Sequence, residues 1–254
     1  MDQKEYQAYA LHSFHKMPQY NYLTEEQKFN IRVVGNVLPF KVNNYVLDEL
    51  IDWSDVENDP MFQLTFPQKG MLSKPHFNKV ASMVEAGMDK YAMRDEINKI
   101  RQELNPHPAG QQSSNVPEID GVKLTGVQHK YRETMLFFPR KGQTCHAYCT
   151  FCFRWPQFVG MDDLKFAMNE TSLIIKYIKA NPHITDILIT GGDPMIMAPE
   201  VFATYLNALL DADLPNLQNI RIGSKSLTFW PYKYTTDKGA DKFLKLFFVY
   251  FQSF

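Results

Sequence analysis

From Thr134 onward, short apolar runs alternate with amphipathic stretches, and this alternation restricts the fold more than any other feature of the chain. Thr134-Met135-Leu136-Phe137-Phe138 reads as a buried strand ended by Pro139. Asp162 and Asp163 open a helical region with Leu173, Ile174, Tyr177 and Ile178 on one face, which stops at Asn181-Pro182. Asp186-Ile187-Leu188-Ile189-Thr190 is a second strand. A further helix has Pro199 near its first turn and a face of Phe202, Tyr205, Leu206, Leu209 and Leu210, and Asn219-Ile220-Arg221-Ile222-Gly223 is the third strand. Strands and helices in this order form right-handed βαβ units and a parallel sheet, either open or curled into a barrel. In both, ligands gather at the carboxyl ends of the strands.

Three motifs sit at those ends. Cys145, Cys149 and Cys152, the only cysteines of the 254 residues, follow the first strand. Gly191-Gly192-Asp193-Pro194 follows the second, and Gly223-Ser224-Lys225-Ser226 the third. An odd, clustered set of thiols is not a disulfide framework, and metal binding or catalysis is the usual reason for one in a reducing compartment. Three thiolates on one loop suit an iron–sulfur cluster with an open coordination position. The alternative is a zinc site with His146 or His129 as the fourth ligand, but zinc sites usually pair two separate knuckles.

The first hundred residues read as mostly helical. Thr24-Glu25-Glu26-Gln27 has the form of a capping box ahead of Phe29, Val33, Val34 and Val37, and Leu38-Pro39 ends that helix. A longer helix is expected from Pro75, with Phe77, Val80, Val84, Met88 and Tyr91 on its buried face and Ile97, Ile100 and Leu104 continuing it. Met83, Met88 and Met93 are read as core. Residues 105–115, rich in Pro, Gly and Ser, form the one clear linker, and Asp120-Gly121 reads as a turn. The expected division is a helical region with its linker over 1–118 and an α/β region over 119–254. A final helix is expected after Thr236-Asp237.

With 27 basic and 28 acidic residues and a net charge of -1, the chain has no electrostatic footprint for nucleic acid or an anionic membrane. A small-molecule partner is expected instead. No apolar run approaches the roughly 20 residues that span a bilayer, so a cytoplasmic protein is expected.

At its cysteines the chain resembles the radical S-adenosylmethionine (SAM) superfamily, whose loop has this spacing and an aromatic residue, here Phe151, before the third cysteine. More narrowly it is similar to the lysine 2,3-aminomutase family, through His129-Lys130-Tyr131, Arg154, Asn181-Pro182-His183-Ile184-Thr185-Asp186, the Gly191-Gly192-Asp193-Pro194 turn and Ile220-Arg221-Ile222-Gly223-Ser224. The resemblance implies a partial (βα) barrel of the radical SAM type with a helical N-terminal region. It implies a 4Fe-4S cluster held by Cys145, Cys149 and Cys152, and SAM bound by Phe151, Gly191, Gly192, Asp193 and Ser224. Asp193 would meet the ammonium of SAM's methionine part, and Arg221 and Ser224 would either line the SAM or substrate end of the third strand or serve in strand packing. The implied reaction is reductive cleavage of SAM to a 5′-deoxyadenosyl radical that abstracts hydrogen from a small, amino-acid-like substrate.

The implied partners are that substrate and an electron donor such as flavodoxin or ferredoxin, with a homo-oligomer as an open alternative. Family members also use pyridoxal phosphate, but no lysine here stands in a matching motif. Phe153 and Trp155-Pro156 replace the more basic residues usual after the third cysteine. About three βα units are too few to close a barrel, so the expectation is a fragment, or an end unlike that of its relatives. The competing reading is a truncated, non-catalytic paralogue that binds an iron–sulfur cluster or zinc.

Overall fold

The computed structural model describes residues 3–105 and 113–251, so most of the expected linker and the last three residues lie outside the described residues. The chain divides into two compact units, each discontinuous in sequence. One comprises Tyr6–Pro108 and His146–Asp163, and the other Met1–Glu5, Ala109–Cys145 and Leu164–Phe254. The division falls within the cysteine loop.

In the first unit, β1 (Ala8–Ala10) pairs antiparallel with β2 (Lys41–Asn43), between which lies α1 (Glu25–Val37). The capping box expected at Thr24 is present, with the Gln27 amide N–H donating to Thr24 Oγ1 at 3.1 Å and Thr24 N–H to Gln27 Oε1 at 2.9 Å. A short α2 (Pro60–Thr65) follows, its first turn capped by Asp59. The long helix expected from Pro75 is two helices, α3 (Lys74–Glu85) and α4 (Lys90–Leu104). Asp89 breaks the run because its carboxylate caps the N–H groups of Tyr91 and Ala92 at 2.8 and 2.9 Å. In consequence Met88 and Tyr91 are exposed and are not core, whereas Met93 is buried. Val33, Val34, Val37, Phe77, Val80 and Ile100 form the apolar centre where α1, α3 and α4 meet. Arg101 seals it by donating to the Asn36 and Val37 carbonyls at the end of α1, and burial pulls its pKa down to about 10.

The second unit opens with a small hairpin, β3 (Glu118–Ile119) and β4 (Val122–Lys123), turning at the expected Asp120-Gly121. Its main sheet has the order β5 (Val127–Gln128), β6 (Thr134–Phe137), β7 (Asp186–Ile189), β8 (Asn219–Ile222). β6, β7 and β8 are parallel and in register, with Phe137 opposite Ile189 and Ile189 opposite Ile222, while β5 is antiparallel to β6. The expected α/β class and three parallel strands are therefore present. Met135, Phe137, Ile187 and Ile189 are fully buried, each contributing about 1.5–3 kcal/mol of apolar burial.

The helix expected at Asp162 begins later, as α5 (Thr171–Ala180), because Met168 is held in extended form at the end of β6. Its N–H donates to Phe138 O at 3.1 Å and its carbonyl accepts Arg140 N–H at 3.0 Å. After α6 (Pro199–Leu210) and β8 come a short α7 (Ser226–Phe229), a single tight turn at Pro231–Tyr234, and α8 (Ala240–Phe251). Phe202, Tyr205 and Phe243 join the core under the sheet.

Candidate functional site

The second unit brings the three loops that follow β6, β7 and β8 into direct contact. Asp193 N–H donates to the carbonyls of Thr144 and Gly142, at 2.7 and 3.1 Å. The Gly191-Gly192 turn thus lies against the segment that leads into Cys145. A Cβ on Gly192 would fall 2.5 Å from Thr144 N and 2.6 Å from Thr144 O, and one on Gly191, where φ is +142°, would overlap the Gln143 amide. Glycine is required at Gly192 by close packing of backbone on backbone, and at Gly191 by the positive φ. Gln143 is itself anchored by donation from Nε2 to Pro139 O at 2.9 Å.

Asp193 then ties this pair to the third loop. Its side chain is 1% exposed, and its carboxylate accepts Met195 N–H (2.9 Å), the Ser224 hydroxyl (2.8 Å) and Lys225 N–H (2.9 Å). Ser224 Oγ lies 2.6 Å from Ser226 Oγ, which is 2.6 Å from the Tyr234 hydroxyl. Close by, Lys233 is buried, donates to Met197 O at 3.2 Å and lies over the Phe243 ring, and burial lowers its pKa to about 8.

Of the two roles open to Arg221, its contacts fit strand packing and not this end of the sheet: its guanidinium turns back to Asp186 at the start of β7, with Nε at 3.0 Å and Nη2 at 2.6 Å. His129, the more distant candidate zinc ligand, has its Nδ1 2.7 Å from the Tyr177 hydroxyl and its Nε2 3.3 Å from Arg132 O.

The rest of the cysteine loop, His146 to Asp163, is seated within the first unit. Its backbone is held by Tyr148 N–H to Lys41 O (2.9 Å), Thr150 N–H to Leu64 O (2.8 Å), and the Tyr6 hydroxyl and Asn43 Nδ2 donating to His146 O (2.9 and 3.3 Å). Cys152 N–H closes a turn on Cys149 O at 3.1 Å. Cys149 and Cys152 border a cavity of about 340 Å³ whose wall includes Leu38, Met71, Leu104 and Trp155. Burial raises the Cys152 thiol pKa, with Arg154 opposing the shift. Phe151 and Phe153, on either side of Cys152, are 74% and 75% exposed.

None of the three half-buried cysteines is in a disulfide, so each keeps the thiol that an iron–sulfur cluster takes up. Among the described residues, no three His, Cys, Asp or Glu side chains converge closely enough to hold a metal ion in the protein alone. The sequence reading placed Ser226 in the loop after β8 but gave it no role, and it did not find Gln143 or Tyr234. The one local signal was the Ser-Lys-Ser run directly after a strand.

These features, post-strand loops joined around a Gly-Gly-Asp turn and a three-cysteine segment that follows β6 in sequence, belong to an α/β protein with a candidate cofactor site. No family model matches the chain. It is 29% identical over 225 residues to a putative L-lysine 2,3-aminomutase of Aquifex aeolicus, covering 89% of this chain and 48% of that protein. To the L-lysine 2,3-aminomutases of Methanococcus maripaludis and Fusobacterium nucleatum it is 24% identical, over 83% and 75% of this chain and 40% and 43% of theirs. The chain is thus similar to L-lysine 2,3-aminomutases over most of its own length, and it spans less than half the length of these three relatives. Among the described residues no helix is long and apolar enough to cross a membrane.

Proposed function

We propose that this chain is a radical SAM protein acting on a small, lysine-like amino acid, with Cys145, Cys149 and Cys152 as the ligands of a 4Fe-4S cluster. The observation that supports it is the bond from Asp193 N–H to Thr144 O, next to Cys145, with the Asp193 carboxylate gripping the loop after β8. The names of the relatives point the same way. When bound, the cluster and SAM supply one-electron cleavage of the sulfonium and a carbon radical that removes hydrogen from the substrate.

The chain's own residues position and shield. Cys145, Cys149 and Cys152 would hold the cluster through three thiolates, a set that would keep one position open for SAM. Asp193 presents fixed negative charge to the ammonium, where a charge-assisted hydrogen bond is strongest. Ser224 lines the same end of β8. Phe151 offers an exposed ring on which the adenine stacks.

Anaerobic reconstitution followed by metal and sulfide analysis tests the ligand set. About four irons per chain are expected, and stoichiometric zinc with no iron would overturn it. Release of 5′-deoxyadenosine under reducing conditions is the expected activity. A cluster-loaded chain that never cleaves SAM would favour the non-catalytic binding reading.

A further inference from the structure

A line of three hydroxyls runs from the Asp193 carboxylate into the core of the second unit, and the direction of its protons is fixed by what stands at its end. An ionised carboxylate only accepts, so Ser224 donates to it across 2.8 Å. Having spent its single proton, Ser224 accepts from Ser226, both from Oγ at 2.6 Å and from N–H at 2.9 Å. Ser226 in turn accepts from the Tyr234 hydroxyl at 2.6 Å. Every proton therefore points toward Asp193, and hydrogen bonds aligned in this way strengthen one another.

The far end is rigid. Ser226 is 0% exposed at the start of α7, and the Tyr234 ring packs against Phe243 and Phe247 of α8. Burial pushes the Tyr234 hydroxyl pKa up, and the Asp193 charge adds to this, so the terminal donor keeps its proton. Without this relay Ser224 keeps only the Ser226 N–H as a donor, and its hydroxyl, the one side-chain donor to the carboxylate among the three bonds described above, is held less firmly.

We infer that Ser226 and Tyr234 are positioning residues that hold Asp193 in place through Ser224 and thereby set the affinity for SAM. The inference rests on the reading of Asp193 as part of the SAM site. The test is a SAM titration of the reconstituted full chain, followed by the change that SAM makes in the electron paramagnetic resonance spectrum of the reduced cluster.

Tyr234→Phe and Ser226→Ala are expected to require about fivefold to tenfold more SAM, with unchanged iron content and an unchanged spectrum before SAM is added. Asp193→Asn serves as the reference and is expected to weaken SAM binding further. If Asp193→Asn binds SAM as the wild type does, the reading of Asp193 itself fails. If it binds weakly while Tyr234→Phe and Ser226→Ala titrate as the wild type, the positioning role is overturned, even where their melting temperatures fall. Should Ser226→Ala not fold, Tyr234→Phe carries the decision, since it removes one oxygen and keeps the ring packing.

Discussion

Asp193 is 1% exposed, with its carboxylate occupied by three donors of its own chain, whereas Phe151 and Phe153 stand about three-quarters exposed on either side of Cys152. The Asp193 carboxylate is satisfied within its own unit, whereas the two rings of the cysteine loop are left uncovered in theirs. The difference follows from what each must do. A charged ligand group gains most from dipoles already in place, since none must be reorganised on binding. An aromatic ring contributes by being covered, so its contribution appears only when something covers it.

The sharpest challenge to this contrast is Cys149→Ala. It should reduce retained iron from about four per chain to near zero, measured after anaerobic reconstitution and desalting, and unchanged iron would remove Cys149 from the ligand set. Next in size is Gly192→Ala, since the added methyl meets backbone atoms of Thr144 that cannot rotate away. A loss of about 3 kcal/mol is expected from denaturant unfolding, and a neutral result would mean that the turn is looser than its packing implies. Asp193→Ala should cost about 2 kcal/mol in the same assay by stranding the N–H groups of Met195 and Lys225.

A smaller effect concerns Lys233. Its folded pKa of about 8 lies below the ordinary value of 10.5. Between these values the unfolded chain holds the extra proton, so stability rises with pH across that window and the penalty of the buried charge is fully present below it. The stability advantage of Lys233→Met over the wild type should therefore be largest near pH 7 and shrink toward pH 10. A constant difference would show that Lys233 does not titrate with folding. Smallest of all, Phe151→Ser and Phe153→Ser should change unfolding free energy by less than about 0.5 kcal/mol, because neither ring is packed. A large loss would show that the loop is already complete.

What could be read in advance was what depends on neighbours in sequence. The Thr24 cap, the Asp120-Gly121 turn and the strands at Thr134, Asp186 and Asn219 all carry local signals, and all are present. Periodicity ran past Met88 and Tyr91 because a cap within a continuous pattern, at Asp89, looks like one more polar residue. The post-strand motifs placed Ser224 and Lys225 at the same end of the sheet as Asp193, but the individual bonds carried no signal, for another reason. Ser224 and Lys225 lie 31 and 32 residues away, and Tyr234 joins through Ser226 with no recurring spacing to mark it. Arg221 went the other way, its nearest acceptor being set by the β7–β8 register rather than by the motif around it.

The anchors of the cysteine loop within the first unit, at Tyr6, Lys41, Asn43, Gln63 and Leu64, all precede it in the chain. A chain emerging from the ribosome presents its N-terminal part first. The cradle for residues 146–150 is therefore already synthesised when the second and third thiols appear, while Asp193 and Ser224 are still untranslated. Birth order thus gives the thiol-bearing loop somewhere to settle tens of residues before the acidic clamp exists.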